Sequence, residues 1–89
     1  MREEDGTVTQ GLIVYESYGG TTERYAAWLG ETLDLPILPL SACRSSTFEG
    51  VPLLIFGGAV HGGEISGLKK LRRLLRKQEG HQTLYFATG

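Results

Sequence analysis

Gly11-Leu12-Ile13-Val14-Tyr15-Glu16-Ser17-Tyr18-Gly19-Gly20-Thr21-Thr22-Glu23 decides the fold. Its first five residues are an apolar run of the kind found in a central parallel strand covered on both faces. Its end opens a helical pattern that continues to Leu33, with Tyr25, Ala26, Leu29 and Leu33 as the expected apolar stripe. Between them lie small and hydroxylated residues. The reading is strand, loop, helix N-terminus, with Gly20 or Thr21 as N-cap and Glu23 in the first turn. Unpaired amides and partial positive charge make such a terminus ready to receive an anion, and glycines let the backbone approach it. The loop has no lysine, so it is not the G-x-x-x-x-G-K-[ST] phosphate loop, and it is not G-x-G-x-x-G. A phosphate monoester suits it better than a triphosphate with magnesium. The bland alternative is an ordinary βα turn.

Outward from this stretch, strands and helices alternate. Asp34 and Pro36 end the first helix, and Pro36 to Leu40 reads as a short strand whose two prolines place it at a sheet edge. Ser41 to Gly50 is small and polar, a loop with room for one helical turn. Val51 to Phe56 is a second central strand. Gly57 to Gly63 reads as a flexible loop, and a further helix is expected from Ser66, its N-cap, to Gln78, with Gly80 at the C′ position. Its apolar set is Leu68, Leu71, Leu74 and Leu75, with Ile65 just before. Gln82 to Ala87 is a last strand, and Thr88-Gly89 opens a third loop. Alternation of this kind predicts an α/β fold, a parallel sheet with right-handed crossovers and helices on both faces.

At 89 residues this is one domain, with residues 1–10 a polar, acidic leader and residues 11–89 the folded part. Charged residues are 21% and apolar residues 40%, an ordinary globular balance, and the net charge of -1 carries no nucleic-acid signature. The lone Cys43 cannot form an internal disulfide, and no long apolar run or leader signal is visible; a cytoplasmic protein with no membrane span is expected. No His, Cys, Asp and Glu cluster has metal-ligand spacing. Six of the nine Lys and Arg fall between Lys69 and Lys77, interleaved with leucines, as the outer face of the last helix. Such a face is usually only solvated; docking of a partner is the sharper alternative.

The three loops after the first, third and fourth strands all lie at strand carboxyl ends, where open parallel sheets bind ligands. Here the chain resembles the flavodoxin family. Ser17-Tyr18-Gly19-Gly20-Thr21-Thr22 matches the phosphate loop of that family, roughly [ST]-x-T-G-x-T. Gly57-Gly58-Ala59-Val60-His61-Gly62 stands at its second loop, and Phe86-Ala87-Thr88-Gly89 looks like the opening of its third. The resemblance implies sheet order 2-1-3-4 and FMN bound non-covalently. Ser17, Tyr18, Gly19, Gly20, Thr21 and Thr22 would surround the phosphate. Gly58, Ala59, Val60, His61 and Gly62 would wrap one side of the flavin ring, and Thr88 and Gly89 would approach its pyrimidine edge. Gly19 replaces a hydroxyl of the family pattern, and His61 replaces a stacking aromatic. The family's fifth strand and later helices are absent from this chain.

The function implied is FMN-dependent electron transport, an oxidoreductase-type flavoprotein that serves a redox partner protein rather than a stand-alone catalyst. Two other readings compete. One is a menaquinone-linked protoporphyrinogen oxidase or another flavin reductase, which Val60 to Lys77 also resembles. The other is a flavin-free module that completes its sheet with a partner chain. With no strand beyond the fourth, Leu84 and Phe86 lie on an unprotected edge. A homodimer, or a longer parent chain supplying a C-terminal portion, is expected to cover them.

Overall fold

The computed structural model describes residues 10–16, 20–76 and 82–88, with the side chain of His61 excepted. The leader expected over residues 1–10 lies almost wholly outside them, as do the C′ glycine expected at position 80 and the last cation of the basic face, at position 77. Five strands and two helices follow in order: β1 (Leu12–Glu16), α1 (Thr21–Leu33), β2 (Ile37–Pro39), β3 (Leu53–His61), β4 (Glu64–Ile65), α2 (Leu68–Leu74) and β5 (Gln82–Thr88). Two short 3-10 turns, Leu40–Ala42 and Ser45–Phe48, occupy the segment expected to be a loop with one helical turn.

The four main strands run parallel in the order β2-β1-β3-β5. This is the expected 2-1-3-4 arrangement, with the expected fourth strand now numbered β5. The chain leaves β1 toward β2 on one side and returns to β3 on the other, so the strand order reverses between β1 and β3. Proline-bearing β2 takes one edge. In the middle, β3 is flanked by β1 through Leu12↔Leu54 to Glu16↔Gly58, and by β5 through Leu53↔Gln82 to Ala59↔Thr88.

Alternation along β1 and β3 divides the core between the two sheet faces. Leu12, Val14, Leu54 and Phe56 point to one face and pack with Leu40, Cys43, Phe48 and the α2 residue Leu71. Ile13 and Ile55 point to the other and pack with Ala26 of α1. The helices therefore cover opposite faces. The apolar set expected for α2 packs as expected, with Leu68, Leu74 and Leu75 half-buried around Leu71. The helix itself is shorter, seven residues, and its N-cap is Gly67 in the left-handed region rather than Ser66.

Helix α1 buries part of the stripe expected, Ala26 with Leu29 half-buried beside it, and otherwise a different one. Thr22, Ala26 and Gly30 face the sheet, whereas Tyr25 and Leu33 are about half exposed, at 48% and 47%. The spacing of i, i+4, i+8 still suits a helix; the residues are small because the approach is close. A Cβ at Gly30 would stand 2.7 Å from Ile37 Cγ2 and 3.0 Å from the Leu35 carbonyl oxygen. Hydrophobicity alone named the bulky residues, which sit at the rim of the contact.

The segment from Gly57 to Gly63 also corrects its reading as a flexible loop. Strand β3 continues through it to His61, and Gly62-Gly63 turns the chain directly into β4. Both glycines have positive φ, 59° and 83°, as a two-residue hairpin turn requires. Gly57 and Gly58 are strand residues whose missing side chains make room for neighbours. The Phe86 ring lies where a Cβ of Gly57 would be, and the Ser66 carbonyl oxygen would be 2.6 Å from a Cβ of Gly58.

Candidate functional site

The site is assembled at the carboxyl ends of β1, β3 and β5. The first part comes from α1. Its N-cap, Gly20, has φ 90°, a left-handed conformation that favours glycine. The first intrahelical bond runs from the Arg24 N–H to the Gly20 carbonyl at 3.0 Å. The amides of Thr21, Thr22 and Glu23 therefore have no acceptor within the helix, and they point outward past its end. Thr21 is exposed. The approach to this terminus, residues 17–19, lies outside the described residues, so Ser17, Tyr18 and Gly19 remain expectations of the sequence.

Thr22 is the buried polar residue of the described core, with no exposed surface. Its hydroxyl shares a hydrogen bond of 2.6 Å with that of Thr88, sixty-six residues away, in which either can be the donor. That bond ties the first turn of α1 to the end of β5 and so joins two of the three segments named from the sequence. A buried hydroxyl left without a partner would cost about 1–3 kcal/mol, so the pairing is mutual protection as well as a clamp. The last residue of the third segment, Gly89, lies outside the described residues.

The second segment overhangs the first. Glu16, the last residue of β1, pairs with Gly58, so Ala59, Val60 and His61 extend beyond the end of β1. The Val60↔Ile65 pair and a 2.8 Å bond from the Ser66 N–H to the Ala59 carbonyl hold the hairpin closed. Val60 is exposed, and so is Gly62. The structure thus gathers Gly20, Thr21, Thr22, Gly58, Ala59, Val60, Gly62, Thr88 and the backbone of His61 at one end of the sheet. The sequence foresaw that end but misjudged the middle segment, which is a braced hairpin.

Two features escaped sequence reasoning. Tyr15 hydrogen-bonds the Glu23 side chain at the rim of the site, and partial burial, the Glu23 charge and that bond all push its phenol above the ordinary value. Secondly, Phe86 leans across Gly57 and stacks on Tyr25, with ring centroids 5.2 Å apart, and Tyr25 meets Trp28 edge to face at 5.6 Å. A glycine in one central strand beside a phenylalanine in the next was the available signal. Among the described residues no group of three or more His, Cys, Asp or Glu could hold a metal ion. No described helix is long and apolar enough to cross a membrane.

No family model matches the chain, and no curated protein matches its sequence. Its fold does have a solved counterpart. The crystal structure of a "putative flavoprotein" from Bacteroides eggerthii superposes with a TM-score of 0.72 over 89% of this chain and 70% of that one, at 15% sequence identity. At that identity the likeness establishes the shared flavodoxin-like α/β architecture: a parallel sheet with a helix on each face.

Proposed function

We propose that this chain is a flavin-binding domain, with FMN as its cofactor and electron transfer to a partner protein as its role. The observation that carries the reading is the convergence of three segments at the strand-order reversal, with Thr22 bonded to Thr88 across them. Such crevices at strand carboxyl ends are where open α/β sheets take nucleotides. The description of the Bacteroides eggerthii protein as a flavoprotein supports the same reading.

The donor set fits a phosphate monoester. The outward amides of Thr21, Thr22 and Glu23 and the exposed Thr21 hydroxyl are neutral donors at the positive end of the α1 dipole. There is open space where a Gly20 side chain would stand, so an anion can approach the backbone. The Val60 and Gly62 end of the hairpin offers a surface for one side of a flat ring, and Thr88 sits at the facing strand end. A bound flavin would supply the one- and two-electron chemistry itself, and the chain's residues bind, orient and shield it. Pairing with β1, β4 and β5 braces β3 and so positions this hairpin.

Flavin fluorescence titrations with FMN and with riboflavin test the reading. The chain should bind FMN more tightly than riboflavin, and Thr21→Val should weaken FMN by roughly 5- to 30-fold, the equivalent of about 1–2 kcal/mol for a charge-assisted bond. Riboflavin affinity should be unchanged. His61→Trp should tighten both ligands through a larger stacking area. Absence of flavin binding, or equal losses for FMN and riboflavin in Thr21→Val, would defeat the phosphate assignment.

A further inference from the structure

The exposed side of α2 is more basic than its structural duties explain. Lys69, Arg72, Arg73 and the following Arg76 stand at i, i+3, i+4 and i+7, one stripe along the helix, and all four are exposed. Like charges at these spacings repel and destabilise a helix. Arg72 and Arg73 gain something from the negative end of the dipole, but Lys69 and Lys70 lie in the first turn, where positive charge opposes it and no acidic residue compensates. Among the described residues no carboxylate pairs with Lys69, Arg72, Arg73 or Arg76. The opposite helix has another character, with Glu23 and Glu31 on α1 and Asp34 as its C-cap. A chain of net charge -1 thus carries a concentrated cationic strip on one side.

Beside this strip is a hollow of about 570 Å³ between the β3–β4 hairpin and the start of α2. Ser66, Gly67, Leu68, Lys69 and Arg72 line it, with Glu64 of the hairpin, so two cations face it against one carboxylate. The hairpin that forms its other wall also carries Val60 and Gly62. A molecule seated on the strip would therefore lie along the hairpin that the flavin reading places against the ring.

We infer that the Lys69–Arg72–Arg73–Arg76 strip and the adjoining hollow dock an acidic segment of a partner protein, whose projecting carboxylates enter the hollow beside Lys69 and Arg72. Complementary charge steers encounter and fixes orientation more than it adds affinity, which suits a partner that must leave after one electron has passed. A protein is favoured over an anionic bilayer on two grounds. The leucines of α2 are packed inward, so the strip has no apolar anchor of its own to insert into lipid. The hollow also receives protruding side chains, which a flat surface lacks. The docking rests on α2 and the hairpin alone; its redox consequence rests on the flavin reading.

Fluorescence anisotropy with a labelled decaglutamate peptide tests the docking on the full chain without flavin. Lys69→Glu with Arg72→Glu should weaken peptide binding at least tenfold. Arg24→Glu with Ala27→Glu and Thr32→Glu, all exposed on α1 at the opposite face of the sheet, changes the net charge equally and should change binding less than twofold. Raising the salt from low to physiological should weaken the wild type strongly and the strip variant little. Lys69→Gln with Arg72→Gln, a milder pair, should fall between. Equal losses in the strip and control variants would overturn the proposal, because binding would then report net charge alone. So would strip-dependent binding to phosphatidylserine vesicles without strip-dependent peptide binding. An FMN titration on the same proteins separates the two readings. Peptide binding lost with FMN binding kept supports the docking strip, whereas absence of FMN binding in the wild type removes the flavin reading and leaves the docking result standing.

Discussion

The two faces of this sheet are finished to different degrees. Beneath α2 eight buried residues from five segments form one cluster, although the helix itself has only seven residues. Leu40 and Phe48 of the 3-10 turns, with Cys43 capping the first turn, complete the cover. Beneath α1, a helix nearly twice as long, the buried apolar cluster is only Ile13, Ala26 and Ile55, beside the buried Thr22 and Gly30, and Tyr25, Trp28, Leu33 and Leu84 remain about half exposed. Helix length therefore does not measure cover. On the α1 side the central strand carries Gly57 where the other face has Phe56, and Phe86 reaches sideways to fill the space. The α2 side holds the fold together, whereas apolar surface beside the edge strand β5 is left on both sides, by Leu84 on the α1 side and by Tyr85 on the other.

Truncations on the two faces should then differ severalfold. Phe56 and Leu71 are wholly buried in the α2-side cluster, so Phe56→Ala should cost about 3–5 kcal/mol and Leu71→Ala about 2–5. A domain of this size has about 5–13 kcal/mol to lose, so either change brings it near unfolding. Trp28 is 56% exposed, and Trp28→Ala should cost less than about 1 kcal/mol. Urea denaturation followed by circular dichroism measures all three. A loss at Trp28 as large as that at Leu71 would break the contrast, and would mean that a second copy or another segment covers the α1 face in solution.

Overpacking gives a smaller, sharper test. Gly57→Ala places a methyl group in the Phe86 ring and should cost about 1–3 kcal/mol. In a double-mutant cycle, Phe86→Leu should absorb part of that loss, since the two residues share one space. Strict additivity would mean that the ring does not rest on Gly57.

The first strand was legible from its continuous apolar run and the inward leucines of α2 from helical periodicity, which the tertiary structure had no reason to override; the sheet order came from the family resemblance and from the prolines that place β2 at an edge. The middle of the chain was not legible. Gly57 and Gly58 read as loop because glycine is permissive, but there the backbone is an ordinary strand and the missing side chains serve Phe86 and Ser66. The true turn was encoded next to them, in Gly62-Gly63 between His61 and Glu64. Likewise the expected α1 stripe of Tyr25, Ala26, Leu29 and Leu33 holds at Ala26 and Leu29 and fails at Tyr25 and Leu33, because closeness of approach, which also selects Thr22 and Gly30, leaves no hydrophobic signal. In the candidate site the segments could be named from sequence, but the Thr22–Thr88 bond links residues whose proximity only the folded sheet creates.

That bond is the next measure of how firmly the α1 face is joined to β5. Thr22→Val should cost about 1–3 kcal/mol, because it strands the Thr88 hydroxyl as well as removing its own. Thr88→Val should do the same from the other side, and the double variant should be less destabilised than the sum of the two. A Thr22→Val loss near zero would mean that water replaces the bond and that the end of β5 moves freely of α1.

The smallest expected effect compares the faces by pH. On the α2 side, burial pushes the Cys43 thiol above its ordinary 9.0, with nearby Lys70 opposing. On the α1 side, partial burial pushes the Tyr15 phenol above 10.0, with the charge of Glu23 and its hydrogen bond adding. In both cases the folded state favours the protonated, neutral form. The stability this contributes is therefore fully present below the unfolded-state value and is lost as pH rises through the folded one. Unfolding temperatures should be level from pH 7 to about 8.5 and then fall, first through Cys43 and then through Tyr15. Cys43→Ala, which lowers stability at neutral pH by leaving a small void, should flatten the first part of that fall; Tyr15→Phe should flatten only the later part. Because the thiol sits inside the closed cluster and the phenol at the rim of an open one, the Cys43 change should remove more of the alkaline loss. The reverse order would make the α1 face the drier of the two, against the burial pattern of the sheet.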